Sequence, residues 1–402
     1  MHRVILSLIL IASLLPGSFT AAAQSGIDFI DIAQEWKFGE QVRFSGVIES
    51  SAPITKTVLF IHPYGADTRL SEVKLNQDGK ITYTIDLAEN PLRAFTPVEY
   101  WYQVSLETGQ EITSPVYTFL YEDNRFDWQR IDANNFSIAW VAGDLLTFGQ
   151  TLQNAAEDGL AAAQAILPVD PPTPLRVYVY PSAQEMQSAI TLASLPWAAG
   201  HASPDIGIIL ISIPEGPDAR AEMERQLPHE IMHMLEYQVI GTAYNRAPTW
   251  LLEGLASAAE LYPNPDYQRV LENAVESDTL IPMTVLCQEF PRDLSGAILA
   301  YAQSNSFVRF LHQSYGSSGI TTLLNAYSDG LSCEAGVQTA LGSSLSEIET
   351  RWQMESLGHN ATLAAWKQLL PYLLLAFLVL VPLGLTLFPK KPKKSRQEQT
   401  GH

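Results

Sequence analysis

The sequence predicts a multidomain protein: an all-β sandwich, then a larger α+β domain, then a single apolar helix near the C-terminus. Three observations carry that expectation. Residues 27–122 alternate apolar and polar with a period of two, the spacing of half-buried strands. From about Arg125 the pattern changes to longer helical spacing with a few interspersed apolar runs. Residues 369–388 then form twenty positions without one charge. At 402 residues the chain also exceeds what one ordinary core fills, so at least two folded domains are expected.

In chain order, residues 1–23 carry Arg3, an apolar stretch from Val4 to Leu15 and the small residues Ala21, Ala22 and Ala23. That is the plan of a secretory signal peptide. Residues 24–122 form the expected sandwich. Val98, Tyr100, Tyr102, Val104 and Leu106 alternate with Glu99, Trp101, Gln103 and Ser105, and Ile81, Tyr83, Ile85 and Leu87 repeat the pattern after an Asp78-Gly79 turn. Residues 58–61 and 116–120 add further strands. This spacing is that of an immunoglobulin-like or fibronectin type III-like sandwich, an analogy of fold that assigns no function.

The second domain is expected over 125–360. Residues 136–141 and 175–180 read as strands, and 148–167 as a helix with Phe148, Leu152, Ala156, Leu160 and Ala163 on one face. Its chemistry lies in His229-Glu230-Ile231-Met232-His233 and in Glu253, within Trp250-Leu251-Leu252-Glu253-Gly254-Leu255-Ala256. Histidines four apart on a helix lie one turn above each other, so both imidazoles can reach one ion. Glu230 follows the first histidine directly, which sets its carboxylate beside the ion, where it can take a proton from water. Glu253 supplies the carboxylate of a two-histidine, one-carboxylate zinc site and leaves a fourth position open. Glu236, one turn beyond His233, is a rival third ligand; three ligands stacked on one helix face suit a tetrahedral ion poorly.

Residues 219–240 read as one helix, with Leu227, Ile231 and Leu235 beside the histidines. Pro228 leaves a second option, a helix beginning near Gln226 with the proline in its first turn. A helix over 249–261 would carry Glu253 inward. Further on, Ser344 and Glu347 spell a capping box, and Gly316 and Gly342 are helix stops.

On His229, Glu230, His233 and Glu253 the chain resembles the gluzincin zinc metallopeptidases, which include thermolysin and the aminopeptidase N group, and most of all the bacterial peptidase MA-like domains. The resemblance covers roughly residues 125–357. It implies a zincin-like α+β fold, one Zn2+ per chain held by His229, His233 and Glu253, Glu230 as general base, and a peptide or protein substrate. It also implies a tyrosine that stabilises the tetrahedral intermediate, and Tyr301 stands where that tyrosine falls; Leu299, Phe307, Phe310 and Leu311 around it equally suit a core tyrosine. A metzincin site is excluded, because Glu236 and Val239 stand where glycine and histidine are needed. The Gly-x-Met-Glu-Asn strand that holds a free amino terminus is missing, which points to an endopeptidase. The run Ile206–Ile211 resembles the family's cleft-edge strand and equally suits a plain buried strand.

Forty-three acidic against 24 basic residues give a formal charge of −19, which argues against nucleic acid as a partner. Lys390, Lys391, Lys393, Lys394 and Arg396 directly follow the segment 369–388, so the expected topology is a single-pass type I protein of the cell membrane. Its catalytic domain would face outward, with residues 389–402 as a basic cytoplasmic tail. Cys287 and Cys333, both in the exported part, form one disulfide or remain two buried thiols. The competing functional reading is a catalytically inactive surface adhesion or sensing protein whose zinc domain only stabilises a binding platform.

Overall fold

The computed structural model describes residues 26–189, 200–358, 369–378 and 380–381. The chain divides into two compact units between Asp127 and Trp128.

Among the described residues the first unit holds eight strands: β1 (Ile27–Lys37), β2 (Gln41–Ser50), β3 (Ile54–Pro63), β4 (Arg69–Glu72), β5 (Lys80–Asp86), β6 (Pro97–Leu106), β7 (Glu111–Thr113) and β8 (Tyr117–Leu120). They form two antiparallel sheets, one in the order β1-β2-β5, the other β4-β3-β6-β7 with β8 also pairing β6. The alternation in β6 decides which face is buried: Val98, Tyr100, Tyr102 and Val104 are fully enclosed while Glu99 is exposed. Phe44 of β2 packs edge-on against Tyr100 of β6 with ring centroids 4.9 Å apart, joining the two sheets face to face.

The second unit opens with β9 (Gln129–Ala133) and β10 (Phe136–Trp140), then a π-helical turn (Leu145–Gly149) leading into α1 (Gln150–Ile166). There follow β11 (Leu175–Tyr180), α2 (Ala183–Ala189), β12 (Gly200–Ser203), β13 (Ile208–Ser212), α3 (Ala219–Ile240), α4 (Thr249–Ala259), α5 (Asp266–Ser277), α6 (Met283–Leu286), α7 (Leu294–Ser328), α8 (Cys333–Leu341) and α9 (Leu345–Glu355). Its sheet runs β12-β13-β11-β10-β9. The three central strands are parallel and both edges antiparallel, and α1 and α2 make the crossovers that parallel pairing requires.

Ile206–Ile211 is therefore not a cleft-edge strand. Its strand, β13, is buried at every position, and β12 occupies the edge beyond it. Pro228 sits in the interior of α3, which runs through 219–240, so the shorter helix is excluded. Gly159 of α1 permits that arrangement: a Cβ there would lie 2.8 Å from Pro228 Cγ. The continuous core of this unit joins β10, β11 and β13 to α1, α3, α4 and α7. At Gly316 (φ 67°) α7 breaks and resumes, Gly342 ends α8 in the left-handed region, and the Ser344–Glu347 capping box opens α9. Cys287 and Cys333 are joined in a disulfide.

The expected signal peptide, residues 1–23, lies outside the described residues. Of the expected membrane segment, 369–378 and 380–381 are described, and they are helical and exposed. Among the described residues no helix is long and apolar enough to cross a membrane.

Candidate metal centre

Two helices bring the centre together. α3 carries His229, Glu230 and His233, with Leu227, Ile231 and Leu235 buried in the core. The apolar side of the helix thus anchors it while the histidines emerge on the other. α4 crosses α3 and is itself pressed on α7 at Gly254, where a Cβ would come within 2.6 Å of the Ser304 carbonyl oxygen. This close approach sets the depth at which Glu253, one residue earlier, meets the histidines.

Glu253 Oε2 lies 3.4 Å from His229 Nε2 and 3.9 Å from His233 Nε2. The two imidazoles stand edge to face, their centroids 5.0 Å apart. One ligand atom from each of the three side chains falls within 4.8 Å of both others. Tetrahedral ligands about 2.1 Å from a zinc ion stand roughly 3.4 Å from one another, so the spacing fits such an ion without rearrangement of the helices.

Each imidazole is held from behind by a carboxylate. His229 Nδ1 donates to Glu260 Oε1 at 3.1 Å, and His233 Nδ1 donates to Glu236 Oε2 at 2.9 Å. The Tyr244 hydroxyl donates to the same Glu236 oxygen at 2.8 Å. A carboxylate can only accept, so each Nδ1 carries a proton and each Nε2 is turned inward to the shared point. Glu236 is thus not the third ligand: its carboxylate supports His233 from the far side. Glu260 and Tyr244 were not anticipated from the sequence. The available signal for Glu260 was its place two turns beyond Glu253, on the same side of the α4 helix path.

The electrostatics favour a cation. Four buried or half-buried carboxylates, Glu230, Glu236, Glu253 and Glu260, surround two imidazoles, and Glu236 Oε1 and Glu260 Oε2 meet no donor among the described residues. Burial alone would lower the His229 imidazole, but its hydrogen bonds to Glu253 and Glu260 outweigh that and raise it well above the ordinary histidine range. Burial likewise opposes ionisation of Glu253, yet the bond to His229 and the charge of His233 keep it below the usual glutamate value. Glu230 moves the other way, raised by burial against the pull of His229 and His233. A carboxyl raised in this way holds a proton more readily, as a general base near neutral pH must. The Tyr301 hydroxyl points to the Glu253 carboxylate and is pushed upward by burial and by that charge, so it stays a proton donor at all ordinary pH.

All five residues singled out from the sequence, His229, Glu230, His233, Glu253 and Tyr301, therefore meet in one place. The arrangement can hold a divalent ion, accept a proton through Glu230 and donate a hydrogen bond from Tyr301.

Residues 155–357 match the family model described as Peptidase MA superfamily. No curated protein matches the chain. Among solved structures, a bromine derivative of BhCBM56 is similar at 10% identity over 22% of this chain and 88% of its own, with a TM-score of 0.18. OgpA from Akkermansia muciniphila is similar at 22% identity over 27% of this chain and 31% of its own, with a TM-score of 0.21. A family 64 β-1,3-glucanase from Paenibacillus barengoltzii is similar at 15% identity over 23% and 20%, with a TM-score of 0.18. The chain thus spans less than a third of the latter two proteins, and likenesses of this size assign no function.

Proposed function

Because the chain belongs to the Peptidase MA superfamily, we propose that it is a zinc metallopeptidase of gluzincin type, acting outside the cytoplasm and anchored to a membrane. The convergence of His229, His233 and Glu253 on one point, with the Glu230 carboxylate beside it, is the observation that carries this reading.

His229 and His233 would hold the ion through Nε2 and Glu253 through its carboxylate. The bound ion would supply Lewis acidity toward a peptide carbonyl and toward water, whose pKa such ions lower to about 7. Glu230 takes the proton of the attacking water and returns it to the departing amine. Its raised affinity for a proton fits it to hold that proton between the two events. Tyr301 donates a hydrogen bond to the oxygen on which negative charge gathers. Glu236 and Glu260 keep both imidazoles oriented and basic.

The anchoring rests on composition: residues 369–388 lack charges and five basic residues follow, at 390, 391, 393, 394 and 396. The leader-like segment 1–23 supports export of the rest.

The direct test is Glu230→Gln in the full chain, assayed on casein and on a mixed peptide pool. Loss of about 10²–10⁴-fold in cleavage with zinc retained is expected. Equal cleavage by the two proteins would remove the proposed base. Zinc binding without any cleavage by the unaltered chain would favour the adhesion or sensing role instead.

A further inference from the structure

The carbonyl of Glu224 belongs to α3 and in a regular helix would accept from the backbone N–H of residue 228. That residue is proline and has no N–H. The Glu224 oxygen is instead taken by another segment: it accepts from Leu261 N at 2.9 Å and from Tyr262 N at 3.3 Å. Those two amides directly follow Glu260, the residue that ends α4 in an extended conformation (φ −54°, ψ 127°) and carries the carboxylate on His229 Nδ1.

We propose that Pro228 is a positioning residue for the metal centre: by leaving the Glu224 carbonyl open, it lets α3 grip the turn after α4 and so aims Glu260 at His229. A carbonyl oxygen has two lone pairs, and both are engaged by Leu261 and Tyr262. An N–H at position 228 would compete for one of them. α4 is held at the same end from the opposite side, where Asn305 Nδ2 donates to the Ser257 carbonyl at 3.2 Å and Arg309 Nη2 to the Ala258 carbonyl at 3.0 Å. Release on the α3 side would therefore leave the backbone at this end of α4 hydrogen-bonded to α7 only, with Glu260 freer to turn away from the imidazole. Simple packing of the Pro228 ring on Gly159 does not account for a bond donated to the carbonyl one turn earlier.

This inference rests on the zinc reading of the site, and its test keeps the two apart. Zinc affinity of the full chain is measured by competition with a chromogenic chelator, and ligand geometry by the visible spectrum of the Co2+ form. The proteins compared are the unaltered chain, Pro228→Ala, Leu261→Pro, Glu260→Ala, and Pro228→Ala and Leu261→Pro each combined with Glu260→Ala. Alanine is the better helix former, so Pro228→Ala should keep its helix content. Its zinc affinity should nevertheless fall about tenfold, as on loss of a partner behind a ligand. Leu261→Pro removes the donor instead, at a position whose preceding residue already has the extended backbone that proline demands, and should give the same loss. Neither change should weaken zinc further once Glu260 is alanine, because both act through it. Unchanged affinity in the single variants, or an equal further loss in the Glu260→Ala background, overturns the proposal. Failure of both single variants to fold overturns it too, since the contact would then serve the fold. If the unaltered chain binds no zinc, the function reading itself falls.

Discussion

Replacing Gly254 by alanine should weaken metal binding without touching a ligand. A Cβ at that position would lie 2.6 Å from the Ser304 carbonyl oxygen and 2.6 Å from Val308 Cγ2. Ordinary contacts lie at 3.4–4 Å, so α4 and α7 must separate by roughly 0.8–1.4 Å. The Ser304 oxygen belongs to a helix backbone and cannot swing aside as a side-chain tip would. Overpacking of this kind costs about 1–3 kcal/mol. The same displacement shifts Glu253 relative to the histidines, and a functional site tolerates only about 0.5 Å. Thermal denaturation with and without zinc, and a chelator-competition titration, measure both effects. The expected result is a melting temperature lower by several degrees and a zinc Kd raised at least about tenfold, equivalent to about 1.4 kcal/mol. Unaltered stability and affinity would mean that the α4–α7 contact does not set the position of Glu253.

Tyr301→Phe should lower kcat by about 10²-fold while leaving KM and zinc content nearly unchanged, in steady-state assays paired with metal analysis. Replacing both Cys287 and Cys333 by serine should destabilise the fold by about 4 kcal/mol in denaturant titrations, given the 46-residue separation of the disulfide. The metal-free protein should lose stability as pH rises above about 6.5, because the folded His229 binds its proton more tightly than the unfolded chain does. The contribution is complete below that pH and vanishes once His229 deprotonates in the fold; His233 is raised as well, so a shallower fall in His229→Gln than in the parent is the expected contrast. Zinc uptake should accordingly release protons, measurable by calorimetry in buffers of different ionisation enthalpy.

Much of the site was legible in the sequence, because its ligands obey local rules. His229 and His233 are one helical turn apart whatever surrounds them, and Glu253 lies in an apolar helix that has to be buried. The supporting groups were not legible in the same way. Glu260 reaches His229 only because α4 ends at that residue and the next turn is gripped by the Glu224 carbonyl. Tyr244 meets Glu236 through a short 3-10 turn over Gly241–Arg246 that no periodicity announces. Glu236 looked like a rival ligand since spacing places it near the ion, but spacing does not say which imidazole nitrogen a carboxylate will face. In the sheet, β13 is an unbroken apolar run and was legible as a strand. The five- and four-residue β9 and β12 were not, and without β12 the run Ile206–Ile211 suited an edge strand as well as the buried strand it is. Pro228 argued for a short helix by propensity, and the packing of α1 through Gly159 overrode it.

The most direct measurement is zinc stoichiometry taken alongside peptide cleavage in the full chain, in the parent and in Glu253→Ala. The parent is expected to hold one zinc ion per chain, to lose cleavage when a chelator strips it and to regain cleavage when zinc is restored, while Glu253→Ala binds zinc weakly and cuts nothing. Cleavage that survives complete removal of the metal, or a Glu253→Ala chain with parental zinc affinity, would contradict a catalytic centre built on His229, His233 and Glu253.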